Sequence, residues 1–284
     1  MDMMNIIYPV AVLSIMGAAF GLLLAIAAKV FSVEVDEREE LIIGVLPGAN
    51  CGGCGFPGCS GYAAAVVAGN APVNKCAAGG QAVASQIAEI MGQEAGEMQR
   101  MVALVRCSGT EGHRATKFDY SGIDDCVAAM RLGGNQGPIQ CVNGCIGLGT
   151  CVKACKFDAI HIVDGIAKVD HEKCTGCLAC ATACPKKIIG EVPYDANVTV
   201  PCGATAKGAV TRKQCDYGCI GCKICEKTCE FDAIHVVDNH AYIDYSKCTG
   251  CGKCAEKCPR KIIHNATVTV AGVAKEVPVS GTEA

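Results

Sequence analysis

The 284-residue sequence contains no tryptophan, and aromatic residues make up only 5% of it. A large core packed on aromatic rings is therefore excluded. No glycine-rich nucleotide fingerprint follows a strand, because the glycine-rich runs are cysteine loops. No Ser/His/Asp order marks a nucleophile, so the chain offers no site for hydride or substrate chemistry. Nor does any Lys or Arg precede the apolar run from Ile6 to Ala28. That run therefore lacks the basic start of a signal peptide and is also longer than a typical signal core. Nucleic acid is not an expected partner: the formal net charge is −3.

The same apolar run is uncharged and spans 6–28. At about 1.5 Å per helical residue it is long enough to cross a bilayer core of roughly 30 Å. We read it as a retained single-pass anchor in the cell membrane. Gly17 and Gly21 form a small-xxx-small pattern that lets another helix approach. Lys29 and Arg38 follow the run, so the positive-inside rule puts the N-terminus outside and the rest in the cytoplasm. A reducing compartment disfavours a disulfide framework and favours metal.

There are 24 cysteines. Two stretches, CTGCLACATACP from Cys174 and CTGCGKCAEKCP from Cys248, read C-x2-C-x2-C-x3-C-P. This is the 4Fe–4S spacing of bacterial ferredoxins. The first three cysteines wrap one cluster, and the fourth is expected to open a helix leading away and to serve the other cluster of a pair. Zinc ribbons use two separated C-x2-C pairs, a poor match to four cysteines in so short a run.

Each run has an upstream companion. Cys219, Cys222, Cys225 and Cys229 precede the second run; Cys145, Cys151 and Cys155 precede the first. Cys145 and Cys219, like Cys174 and Cys248, stand 74 residues apart, so the repeat is a whole two-motif module. Between the motifs, apolar residues alternate around Asp164-Gly165 and around Asp238-Asn239, which predicts two hairpins. His161 and His235 lie in these strands and are read as structural. Leu148 stands where the second module has Cys222, so the first module lacks one ligand. Cys141, folding back through Gly144, is the expected substitute.

The expected ligands of the two modules are thus Cys141, Cys145, Cys151, Cys155, Cys174, Cys177, Cys180 and Cys184, then Cys219, Cys222, Cys225, Cys229, Cys248, Cys251, Cys254 and Cys258. A separate glycine-rich unit holds Cys51, Cys54, Cys59 and Cys76, with a helix expected from Tyr62 to Ala68; it predicts a fifth 4Fe–4S cluster. Cys107, Cys126, Cys202 and Cys215 remain. They would bind a sixth cluster if the two segments preceding the modules meet in space, and would otherwise be small buried hydrophobes.

The fold class expected is α+β. A transmembrane helix (1–30) is followed by a small helical cluster module (31–100), a connecting segment (101–140), two tandem ferredoxin-like modules (141–200 and 201–264) and a tail (265–284). The tail, including ATVTVAGVAKEVPV, reads as a strand pair or a docking segment.

The order of anchor, LPGANCGGCGFPGCSGYAAAV segment and ferredoxin modules resembles the B subunit of the Rnf complex, an ion-translocating ferredoxin:NAD+ oxidoreductase. The resemblance spans essentially the whole chain, in the longer form with two ferredoxin modules; Leu148 departs from the simple pattern. It implies that the protein takes electrons from soluble ferredoxin on the cytoplasmic side and relays them to other Rnf-type membrane subunits. NAD+ reduction on another subunit would then drive Na+ or H+ outward. The rival readings are an anchored polyferredoxin of a different oxidoreductase, such as a hydrogenase, and a zinc scaffold.

The stretch from Lys207 to His264 carries ten Lys and Arg against seven Asp and Glu, a local excess of +3 in a chain of −3. Lys253, Lys257, Arg260 and Lys261 would form a basic collar for an acidic electron carrier.

Overall fold

The computed structural model describes residues 4–30 and 36–265. The expected tail beyond Asn265 lies outside the described residues.

Helix α1 (Met4–Val30) begins the chain. None of its described side chains is buried: Ile7, Leu13, Phe20 and Leu24 are all exposed. A helix apolar on every side needs a protein core or a lipid phase around it. Among the described residues this is the one helix long and apolar enough to cross a membrane, with a mean hydropathy of 2.3 over Ala11–Lys29.

Three helices follow: α2 (Glu37–Val45), α3 (Cys59–Val67) and α4 (Gly80–Met91). Asp36 caps α2 by accepting from the Arg38 amide at 2.9 Å. Gly92 ends α4 in the left-handed conformation. Ile42, Tyr62, Val66 and Ile87 are buried between the three, and each contributes about 1.5–3 kcal/mol. The Tyr62 hydroxyl donates to the Pro72 carbonyl (2.7 Å) and accepts from the Lys75 amide (3.2 Å). This ties the loop carrying Cys76 to α3.

Strand β1 (Met101–Val105), the short helix α5 (Cys126–Met130), the kinked turn α6 (Leu132–Asn135, with positive φ at Gly133 and Gly134), and then the first cysteine repeat come next. The repeat comprises α7 (Thr150–Ala154), the hairpin β2 (Ile160–Val163)/β3 (Ile166–Val169), α8 (Ala179–Ala183) and β4 (Ile189–Pro193). After β5 (Val198–Thr199) and α9 (Gly208–Gln214) the second repeat has the same plan. It consists of α10 (Ile224–Thr228), the hairpin β6 (Ile234–Val237)/β7 (His240–Ile243), α11 (Lys253–Lys257) and β8 (His264–Asn265). Both hairpins turn where predicted, with positive φ at Asp164 and Gly165 and at Asp238 and Asn239, as type I′ turns require.

Strand pairing crosses the boundaries drawn from sequence. β1, assigned to a connecting segment, pairs antiparallel with β4, Leu104 opposite Gly190. β5, assigned to the first module, pairs with β8 of the second, Thr199 opposite His264. Each repeat therefore borrows an edge strand from the residues before it, burying Val102 and Val105 in one core and Val198 and Val200 in the other.

Candidate metal centres

The four short helices carry the cysteines in one recurrent way. Each follows a residue in the left-handed conformation (Gly149, Leu178, Lys223, Gly252) and holds one cysteine: Cys151, Cys180, Cys225 or Cys254. Each ends at a C-cap cysteine in extended conformation, namely Cys155, Cys184, Cys229 or Cys258. The fourth cysteine thus closes a helix instead of opening one. Its extended backbone sends the chain onward, toward the other centre of the pair.

Four cysteine sets emerge directly. Cys51, Cys54, Cys59 and Cys76 line one cavity. Cys219, Cys222, Cys225 and Cys258 line another, and Cys229, Cys248, Cys251 and Cys254 a third. Cys180 lies within electrostatic range of Cys155, Cys174 and Cys177.

The fifth set departs from expectation. Cys145, Cys151 and Cys184 share their cavity with Cys126, and Cys141 is not among its walls. Leu148, at the position of the missing ligand, packs on the cluster of Cys126, Ala129 and Ile146. Asp125 caps α5 by accepting from the Ala128 amide at 2.8 Å, which fixes the helix start at Cys126. The other leftover cysteines, Cys107, Cys202 and Cys215, stay outside these five sets.

Donor chemistry fits iron–sulfur clusters. All 24 cysteines are described, and none forms a disulfide. The thiols ring cavities. Burial, then neighbouring thiols, pushes Cys151 up to about 12 and Cys180 up to about 11. Burial likewise raises Cys145 to about 11 and Cys225 to about 12. Such crowded thiols ionise only with a cation among them, which iron supplies. Backbone amides already point at sulfur: Ala103 to Cys174 (3.4 Å), Ala159 to Cys155 (3.4 Å) and Ala233 to Cys229 (3.4 Å). Such donors spread thiolate charge and raise a cluster's potential.

The first set abuts the ferredoxin-like part. Cys177 lines the cavity of Cys51 and Cys76, and a Cβ on Gly53 would lie 2.6 Å from the Cys177 carbonyl oxygen. Only glycine permits that approach. Lys156 Nζ donates to the Ala49 carbonyl at 2.7 Å across the same seam.

Family models match three segments: a putative Fe-S cluster over 46–78, a 4Fe-4S binding domain over 167–190 and a 4Fe-4S dicluster domain over 218–263. The chain is 48% identical over 91% of its length to the B subunit of the Na(+)-translocating ferredoxin:NAD(+) oxidoreductase complex of Acetobacterium woodii, covering 77% of that protein. It is 44% identical to the B subunit of the ion-translocating oxidoreductase complex of Methanosarcina acetivorans, over 91% of this chain and 97% of the relative. The chain belongs to the B-subunit family of Rnf-type ion-translocating oxidoreductase complexes. In Clostridium ljungdahlii, the B subunit of a proton-translocating ferredoxin:NAD(+) oxidoreductase complex is 44% identical over 90% of this chain and 91% of its own length. As a member of this family, the chain is an iron–sulfur electron-transfer component of its complex, with 4Fe–4S domains.

Sequence reasoning passed over Cys126 as the fifth set's last member. A signal was present. In the first repeat 38 residues separate Cys107 from Cys145, and in the second 17 separate Cys202 from Cys219. The difference, 38 less 17 or 21 residues, is an insertion in the first repeat, and Cys126 lies within it.

Proposed function

We propose that this chain is a membrane-anchored relay. It accepts single electrons from reduced ferredoxin at its C-terminal module and delivers them toward the Cys51–Cys76 centre, within an ion-translocating ferredoxin:NAD+ oxidoreductase. Helix α1 anchors it by residues 6–28, with the cysteine-rich part on the cytoplasmic side. Its partners are the other membrane subunits of the complex and soluble ferredoxin. Five sets of four thiolates hold five 4Fe–4S clusters, the fifth through Cys126. Bound clusters supply one-electron transfer.

The observation that carries this reading is that the only exposed cysteines among the described residues lie in the C-terminal module. At the C-terminal end Cys222 and Cys251 are exposed, whereas Cys145, Cys151 and Cys184 are buried. At the other end the apolar α1 precedes the Cys51 set. An exposed ligand set suits exchange with a mobile carrier, and a buried one suits transfer within the chain.

The basic collar supports the same direction in reduced form. Lys257 and Lys261 are exposed. Lys253 is paired with Glu230 at 2.7 Å. Arg260 donates to the carbonyls of Cys215 (2.8 Å) and Gly218 (3.3 Å), so it belongs to the scaffold. Replacing Lys253, Lys257 and Lys261 with Gln should slow reduction by ferredoxin in low salt and flatten its salt dependence. Reduction by a small uncharged dye should stay unchanged. Ferredoxin reduction at the wild-type rate would move the entry point elsewhere.

A further inference from the structure

Assigning twenty cysteines to five sets leaves Cys107, Cys141, Cys202 and Cys215. Resting on that assignment, we infer that these four thiols hold a sixth 4Fe–4S cluster at the junction of the two modules, joining them into one path for single electrons.

The four are two pairs of equivalent positions. Leu104 pairs with Gly190, and Thr199 with His264, which stands 74 residues after Gly190. Cys107 and Cys202 each lie three residues beyond Leu104 and Thr199, so they match between repeats. Cys141 and Cys215 match as well, each four residues before its module's first cysteine. The correspondence extends to hydrogen bonding. The Cys145 amide donates to Cys107 Sγ at 3.3 Å, and the Cys219 amide to Cys202 Sγ at 3.3 Å.

The pairs meet face to face. The backbone at 106–108 runs beside 201–203: the Gly203 amide donates to the Arg106 carbonyl at 3.1 Å, and Ser108 Oγ to the Pro201 carbonyl at 3.1 Å. On the opposite side the Gln214 side-chain amide donates to the Gln140 carbonyl at 3.4 Å. Ala115 stitches the same two segments, donating to the Gln214 carbonyl (2.8 Å) and accepting from the Gln140 amide (3.0 Å). As a result Cys107 lies within electrostatic range of Cys141, Cys202 and Cys215, and Cys141 within range of Cys215.

Cationic side chains attend the site symmetrically. Lys186 and Arg260 occupy equivalent positions after the module prolines. Lys186 Nζ donates to the Val142 carbonyl (3.0 Å), beside Cys141, and Arg260 Nη2 to the Cys215 carbonyl (2.8 Å). A purely apolar role would need neither sulfur nor amides aimed at it. Four thiols with backbone amides aimed at two of the sulfurs are the kind of donor set that iron–sulfur clusters take.

The position also explains a connection. Cys145 belongs to one centre of the first module and Cys219 to one centre of the second. Each is linked through its amide to a thiol of the junction site. One electron entering the junction from the second module leaves it to the first, with no net change there.

Native mass spectrometry of the anaerobically purified full chain counts clusters directly. Six are expected in the wild type and five in each of Cys107→Ser, Cys141→Ser, Cys202→Ser and Cys215→Ser. The double variant Cys107→Ser/Cys215→Ser should also hold five, since both residues serve one site. Five clusters in the wild type and in every variant would overturn the junction cluster while leaving the five sets standing. Fewer than five in the wild type would overturn both. Electron paramagnetic resonance of the reduced double variant should retain the signals of both flanking pairs; their joint loss would mean that the cysteines serve folding alone.

Discussion

The backbone amide of Cys126 donates to Oγ1 of Thr150 at 2.7 Å, so an inserted helix is pinned to the residue preceding Cys151. Thr150 in turn donates to Asp125 at 3.3 Å. The insertion and the module thus share one hydrogen-bonded corner, and the thiol of Cys126 reaches the cavity that Leu148 leaves one ligand short.

Cys126→Ser should therefore remove one cluster, about four iron atoms per chain. Adding Leu148→Cys to that variant restores the ligand at its equivalent place in the second module and should recover the iron. Iron and acid-labile sulfide assays read both results. Full iron in Cys126→Ser alone would show that another group completes the set.

Lys186 is only 9% exposed, and its ammonium lies within electrostatic range of Cys141 and Cys184. Burial lowers its pKa, with Lys117 adding to the effect, yet the head is held by the carbonyls of Gln136 and Val142. A buried cation favours an added electron nearby. At an effective dielectric of about 20, one charge over roughly 8 Å is worth about 2 kcal/mol before screening. Lys186→Met should lower a cluster potential by tens of millivolts, and Lys186→Arg should largely retain it. A redox titration followed by paramagnetic resonance distinguishes these from a merely structural role, which would leave the potentials unchanged.

Gly53 is pressed against the Cys177 carbonyl, and a side chain there collides with backbone. Gly53→Val should separate the helical module from its neighbour, at a cost of about 1–3 kcal/mol. The cluster count should hold, because no ligand is changed. Electron transfer between the Cys51 set and the Cys177 set should slow, as rapid-freeze kinetics would detect. Unaltered transfer would place the contact outside the path.

The first cysteine, Cys51, comes well after α1, and none of the described side chains of α1 is buried. Deleting residues 1–29 should yield protein that stays in the supernatant and keeps its full iron. Truncated protein that fails to assemble clusters would make α1 part of the fold.

What the sequence determined on its own is what depends on neighbours along the chain. The C-x2-C-x2-C spacing dictates the ligand loops because three thiols so close together can wrap one centre wherever the loop sits. Asp164-Gly165 and Asp238-Asn239 dictate their hairpins because positive φ at two successive residues matches strand twist. The 74-residue offset and the apolar run before Lys29 are likewise readable without a fold. Tertiary structure alone decided the pairings that close long loops. These include β1 with β4, Gly53 against Cys177, and Cys126 in place of Cys141 beside Leu148. Cys141 is the nearer thiol in sequence, but Gln140 is held toward Gln214 and Ala115. The insertion, by contrast, folds back through Asp125 and Thr150 to bring Cys126 in. Sequence separation does not measure distance once loop closure, which rises only slowly with length, is outweighed by packing and hydrogen bonds.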